Sequence, residues 1–77
     1  MPHVIVKMYS GCTEAQKQAL AAEITKAVKK TLGSSDGDVS ISIEDVAPND
    51  WTEKVYRPDI AGKPRQLYKK PGYDPPK

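Results

Sequence analysis

The sequence predicts an α/β fold: a β-α-β subunit with parallel strands. Two copies would pair into a four-stranded sheet with the helices on one face. Three observations carry this. Two short runs have strand-like apolar patterning, one long run between them has helical spacing, and the chain has only 77 residues. That length allows one domain, taken as residues 1–77, with a β-α-β core over 1–46 and an irregular segment with short helices over 47–77. A chain this short buries only about 60% of its unfolded surface.

His3 to Tyr9 reads as the first strand. Val4, Val6 and Met8 share one face; His3, Ile5, Lys7 and Tyr9 share the other. Both faces are partly apolar, as in a strand covered on two sides. Pro2 stands at the opening, where a missing backbone donor costs little. Ser10-Gly11 ends the strand.

Thr13-Glu14-Ala15-Gln16 has the pattern of a capping box, with Thr13 as N-cap. The helix it opens is expected from Glu14 to Leu32. Leu20, Ile24, Ala27, Val28, Thr31 and Leu32 form one apolar stripe at helical spacing. Lys17, Gln18, Lys26, Lys29 and Lys30 are placed elsewhere on the helix. Lysines in the last turns suit the helix dipole, and Gly33 suits the position after the end. Ser34 to Asp38 is a loop by composition.

Val39 to Glu44 reads as the second strand, with Val39, Ile41 and Ile43 alternating against polar residues. A crossover of this length makes the two strands parallel and the connection right-handed. Beyond it, Asn49 to Glu53 looks like a cap and one or two helical turns. Pro58, Gly62 and Pro64 should keep any helix between Arg57 and Arg65 short. The tail, Lys69 to Lys77, is turn-rich and either packs by its tyrosines or stays mobile.

Several function classes are disfavoured. Cys12 is the only cysteine and His3 the only histidine. No intramolecular disulfide is possible, and no metal-ligand spacing exists. No glycine-rich phosphate loop occurs. The net charge of +2 is not that of a dedicated nucleic-acid binder. No apolar run approaches the length of about 18 residues that a membrane span needs. With no basic-then-apolar leader and one free thiol, the expected location is the cytoplasm. Without disulfide or metal, and with no Phe and one Trp, the core calls for oligomerisation.

Pro2 is the residue with the sharpest chemistry. Once Met1 is removed, its nitrogen is a free secondary amine. An α-amino group titrates near pH 7.7–8.0. An apolar pocket or a nearby cation lowers that further. The result is a general base suited to neutral pH. The ordinary alternative is a proline that only opens a strand. A His3–Cys12 nucleophile pair is disfavoured, because His3 lies in the strand and Cys12 in the loop after it.

Met1-Pro2 before a strand, Thr13-Glu14-Ala15-Gln16-Lys17 opening a long helix, and Val39-Ser40-Ile41-Ser42-Ile43 resemble the 4-oxalocrotonate tautomerase family over the first fifty residues. Ser40 to Ile43, Pro48-Asn49-Asp50-Trp51 and Lys69-Lys70-Pro71-Gly72-Tyr73 resemble its short dimeric branch that acts on phenylenolpyruvate. The resemblance implies Pro2 as the base that moves a proton between enol and keto forms, with no cofactor and no metal. It also implies a homodimer, with a hexamer as the alternative. The long segment after Trp51 favours the dimer.

The departures from that family bear on substrate. Its hexameric members carry arginines in the loop after the first strand and at the start of the second. Here those positions hold Cys12 and Ser40, neither of which makes a bidentate ion pair. A small mono-acid with an aromatic or apolar tail, a 2-oxo acid enol, is therefore expected rather than a dicarboxylate. Trp51 is expected at the pocket wall, or else as an interface anchor. Ser40 supplies a hydroxyl, or is only an outward strand residue. Arg57 is the first candidate to meet the substrate carboxylate and Lys54 the second, each otherwise an exposed charge. Two other readings stay open. One is hydration or dehalogenation of an unsaturated acid on the same scaffold. The other is a non-catalytic interaction module using the basic, tyrosine-bearing tail.

Overall fold

The computed structural model describes residues 1–75. Strand β1 spans His3–Tyr9, helix α1 spans Glu14–Leu32, and strand β2 spans Ser40–Val46. β1 and β2 form a two-stranded parallel sheet. A short 3-10 turn, Asp36–Asp38, precedes β2. Two more, Pro48–Asp50 and Pro64–Gln66, flank a ten-residue π-helix at Thr52–Ala61. The chain forms two compact units, Met1–Asp45 and the part from Val46 onward.

In the first unit, the local signals of α1 act as the sequence leads one to expect. The Thr13 hydroxyl accepts from the Gln16 N–H at 3.1 Å, and the Gln16 side chain accepts from the Thr13 N–H at 2.8 Å. At the other end Gly33 takes a left-handed φ of 69° and donates its N–H to the Lys29 carbonyl at 3.0 Å. A residue with a Cβ adopts that conformation reluctantly.

The covered face of α1 differs from the expected stripe. The half-buried positions are Lys17, Ala21, Ile24, Thr25 and Val28. Ala27 and Thr31 are exposed, and so are Leu20 at 36% and Leu32 at 67%. The reason is width. Two strands lie only about 4.8 Å apart, so the sheet covers a narrow band of a helix about 10 Å across. Lys17, expected to point elsewhere, lies in that band. Its ammonium reaches Asp45 on β2 at 2.7 Å. The hydrogen bond to Asp45 raises the Lys17 pKa above its ordinary value of 10.5; desolvation opposes this in part, and the Asp45 and Glu14 charges add to the rise.

The strands alternate except at Lys7, which is half-buried beside Val6 and Met8, and at Asp45, which is exposed beside Glu44. Val4, Val6 and Met8 are half-buried, as are Ile41 and Ile43. His3, Ile5 and Tyr9, with Ser40, Ser42 and Glu44, are exposed.

The second unit holds Val46 and Val55, the buried hydrophobic residues among those described. Its π-helix runs through Pro58, where the sequence argues for a short helix only. In an α-turn the Pro58 ring would meet the carbonyl four residues back. The wider five-residue turn relieves that clash, and such turns are otherwise rare. The helix ends at Gly62, where a Cβ would stand 2.7 Å from the Arg57 oxygen and 2.8 Å from the Pro58 oxygen. The expected tail includes Pro76 and Lys77, which lie outside the described residues. Within them, Tyr73 is packed and hydrogen-bonded, whereas Tyr68 is 98% exposed.

Two outcomes follow from this packing. Gly62→Ala should lose about 1–3 kcal/mol in urea unfolding, the scale of overpacking against a fixed backbone. Gly72→Ala, whose added Cβ would meet nothing within 4 Å, should be near neutral. Lys17→Met should lower the denaturation midpoint at pH 7. Because the folded pKa of Lys17 is raised, the wild-type advantage should hold up to about pH 10 and fade as pH climbs through the folded value. Unfolding curves recorded from about pH 7 to 11.5 check this.

Candidate active site

Parallel pairing fixes the neighbourhood of Pro2. The Pro2 carbonyl accepts the Ser40 N–H at 3.2 Å, so the residue before β1 is matched to the first residue of β2. The Pro2 ring needs no ladder partner for its own nitrogen, because it precedes the first strand residue. Pro2 is half-buried. Met1 precedes it, and the Met1 ammonium lies 3.9 Å from the Asp38 carboxylate, with both groups largely exposed. While Met1 is attached, the Pro2 nitrogen is an amide with no basic lone pair; its removal leaves an amine at the same end of the sheet.

Ser40 is therefore brought beside Pro2. Its hydroxyl also meets His3. His3 Nδ1 and Ser40 Oγ are 2.7 Å apart across the two strands. The sequence does not reveal this pair, because it places His3 in the first strand without giving the register between the strands. Cys12 is exposed and lies beyond the far end of β1. A seven-residue strand is roughly 20 Å long. His3 and Cys12 thus form no catalytic pair.

The other two candidates belong to the second unit. Trp51 is half-buried at the start of the π-helix. Its indole N–H donates to the Tyr73 hydroxyl at 3.1 Å, and Tyr73 packs its ring on Tyr56 at 6.0 Å and 57°. The indole is thus tied at its N–H to a phenol that is itself in ring contact with Tyr56 and 47% exposed. The tyrosines that hold it were visible in the sequence only as tail residues. Nearby, Tyr56, Ile60, Leu67, Lys70, Pro71 and Tyr73 are among the residues lining an open cavity of about 350 Å³. Arg57 is exposed, and its guanidinium pairs with Glu53 at 2.6 Å, one turn back. Lys54 pairs with Asp50 at 3.4 Å. Both candidate cations are thus held by carboxylates of their own segment. Exposed pairs of this kind contribute little to stability.

Among the described residues, no group of three or more His, Cys, Asp and Glu side chains is placed to hold a metal ion. No helix among them is long and apolar enough to cross a membrane.

A sequence profile of tautomerase enzymes matches residues 2–55. The tautomerase PptA of Klebsiella pneumoniae is 42% identical over 74 residues, covering 95% of this chain and 97% of that protein. The tautomerase PptA of Escherichia coli is 39% identical over the same coverage. Solved structures agree with the fold. YwhB, a homologue of 4-oxalocrotonate tautomerase, superposes with a TM-score of 0.60 at 40% identity, over 61% of this chain and 77% of that chain. A 4-oxalocrotonate tautomerase isozyme of Methylibium petroleiphilum gives 0.63 at 30% identity, over 65% and 81%. With a proline opening a β-α-β unit and matches that run nearly the whole length of its relatives, the chain belongs to the tautomerase family, a family of isomerases.

Proposed function

We propose that the protein is a cofactor-independent keto–enol tautomerase acting on the enol of a 2-oxo acid such as phenylenolpyruvate. Pro2, freed by Met1 removal, is its general base. The observation that supports this most is the register that matches Pro2 to Ser40 at one end of the sheet. The secondary amine takes the proton from the enol hydroxyl. The electrons of that O–H bond form the carbonyl, the carbon–carbon π electrons move to the carbon, and Pro2 returns a proton there. No net oxidation occurs, so no redox partner is needed. The ring holds the lone pair in one direction, which lowers the ordering cost of proton transfer.

Trp51 forms the wall against the apolar tail of the substrate, Ser40 meets a substrate oxygen, and Arg57 takes the carboxylate in exchange for Glu53. The working molecule is a homodimer, each subunit a single functional domain over residues 1–77. Support comes from the apolar surface the first unit leaves open: Ile5 at 60%, Tyr9 at 46%, Leu20 at 36% and Leu32 at 67% exposed. Extending the sheet from two strands to four would cover more of α1. The exposed thiol of Cys12 suits a reducing compartment such as the cytoplasm.

The test begins with intact mass, to establish whether Met1 is present. Phenylenolpyruvate ketonisation, followed by absorbance, should be fast for the processed protein. Pro2→Ala should lose two orders of magnitude or so, the usual scale for a general base. Equal rates would remove Pro2 from the mechanism. For the carboxylate contact, Arg57→Gln should raise KM about tenfold, the scale of a charge-assisted hydrogen bond. Glu53→Gln, which frees the guanidinium, should lower it.

A further inference from the structure

We propose that His3 is a positioning residue that sets the hydrogen-bonding polarity of Ser40, so that Ser40 donates to the substrate anion only when Nδ1 of His3 carries a proton. The inference rests on the reading of Ser40 as a substrate contact and extends it to a residue outside that set.

The geometry leaves Ser40 few options. Its backbone N–H is already given to the Pro2 carbonyl. Its hydroxyl, with one proton and two lone pairs, is the remaining donor. That hydroxyl lies 2.7 Å from His3 Nδ1, within hydrogen-bond range. If Nδ1 is bare, it accepts the Ser40 proton, and Oγ offers the substrate only lone pairs. An anionic oxygen is then repelled. If Nδ1 is protonated, it donates to Oγ, and the hydroxyl proton is free to turn to the substrate. In the imidazolium form the donor is also charged, which strengthens the chain of bonds.

This matters more here than in a chain with an arginine at this position, because Ser40 brings no charge of its own. Asp38, which the Met1 ammonium meets at 3.9 Å, is the acidic group near the His3 end of the sheet; once Met1 is removed, the Pro2 amine beside His3 is the terminal charge there. Strand alternation places Lys7 of β1 and Glu44 of β2 farther along the same sheet face. Covalent linkage keeps His3 next to Pro2, but the two protons act on different steps. Pro2 must be unprotonated to react, whereas a protonated His3 tightens binding. The Pro2 ammonium also attracts an anion, so the part of the KM slope that depends on the His3 ring is the part that reports on His3.

His3 is the only histidine, so its ring signals in an NMR spectrum need no assignment. The experiment uses the processed protein, its His3→Gln and Ser40→Ala variants, and phenylpyruvate, the keto product, as the binding probe. Wild-type KM for phenylenolpyruvate and Kd for phenylpyruvate should both rise about fivefold between about pH 5.5 and 8, the range in which histidines change charge and the scale of one hydrogen bond. His3→Gln should lose most of the slope, keeping only the part due to the Pro2 amine, and Ser40→Ala should lose as much. Adding phenylpyruvate should shift the histidine titration to higher pH in the wild type, and much less in Ser40→Ala. A flat wild-type profile overturns the proposal. So does a slope that survives Ser40→Ala in full, since the ring would then act by charge alone. An inactive processed protein whose phenylpyruvate binding still shows the His3-linked slope would refute Pro2 as base and leave this inference standing. Activity that depends on Pro2, with a slope that persists in full in His3→Gln, would do the reverse.

Discussion

The parallel pairing of β1 and β2 is the constraint from which the first unit follows. Parallel neighbours cannot be joined by a tight turn, so the chain must travel back along the sheet before it re-enters. α1 is that return path. Its start is fixed by the Thr13–Gln16 box and its end by the left-handed Gly33. The Lys17–Asp45 bond then ties the first turns of the helix to the end of β2. The same pairing sets which residues meet at the opposite end. Pro2 faces Ser40 because the ladder begins there.

Such a unit is short of partners. Two strands offer one narrow face to a nineteen-residue helix that has no buried residue. The polar bonds inside the unit are numerous but mostly exposed, and contribute modestly. This explains why a chain so small invests in explicit caps: with little apolar burial, local signals carry a larger share of the helix stability. The second unit solves the same shortage differently, with Val46 and Val55 buried and an aromatic pair formed by Tyr56 and Tyr73.

Much of this was legible in the sequence. The bounds of β1 and α1 could be read from alternation, a capping box and a terminal glycine, because each signal is local. β2 was legible for the same reason, though it begins at Ser40 and continues to Val46. The family resemblance drawn from Pro2, the capping box and the second strand agrees with the profile match and with the full-length relatives. What could not be read depends on relations between segments. The covered band of α1 is set by sheet width, which no helical wheel contains. The His3–Ser40 contact needs the register of two strands. Trp51 on Tyr73 joins residues far apart in the chain. The π-helix was missed because Pro58 argues against an α-turn and says nothing about a wider one.

The placement of Trp51 has a spectroscopic consequence. It is the chain's single tryptophan, and it lies in the second unit, with its indole N–H bound to a phenol. The long helix, which dominates far-ultraviolet circular dichroism, lies in the first. Emission and dichroism therefore watch different parts of one molecule. Coincident melting curves from the two signals would mark a single cooperative unit. Separate curves would mean that one half of the chain can loosen while the other stays ordered.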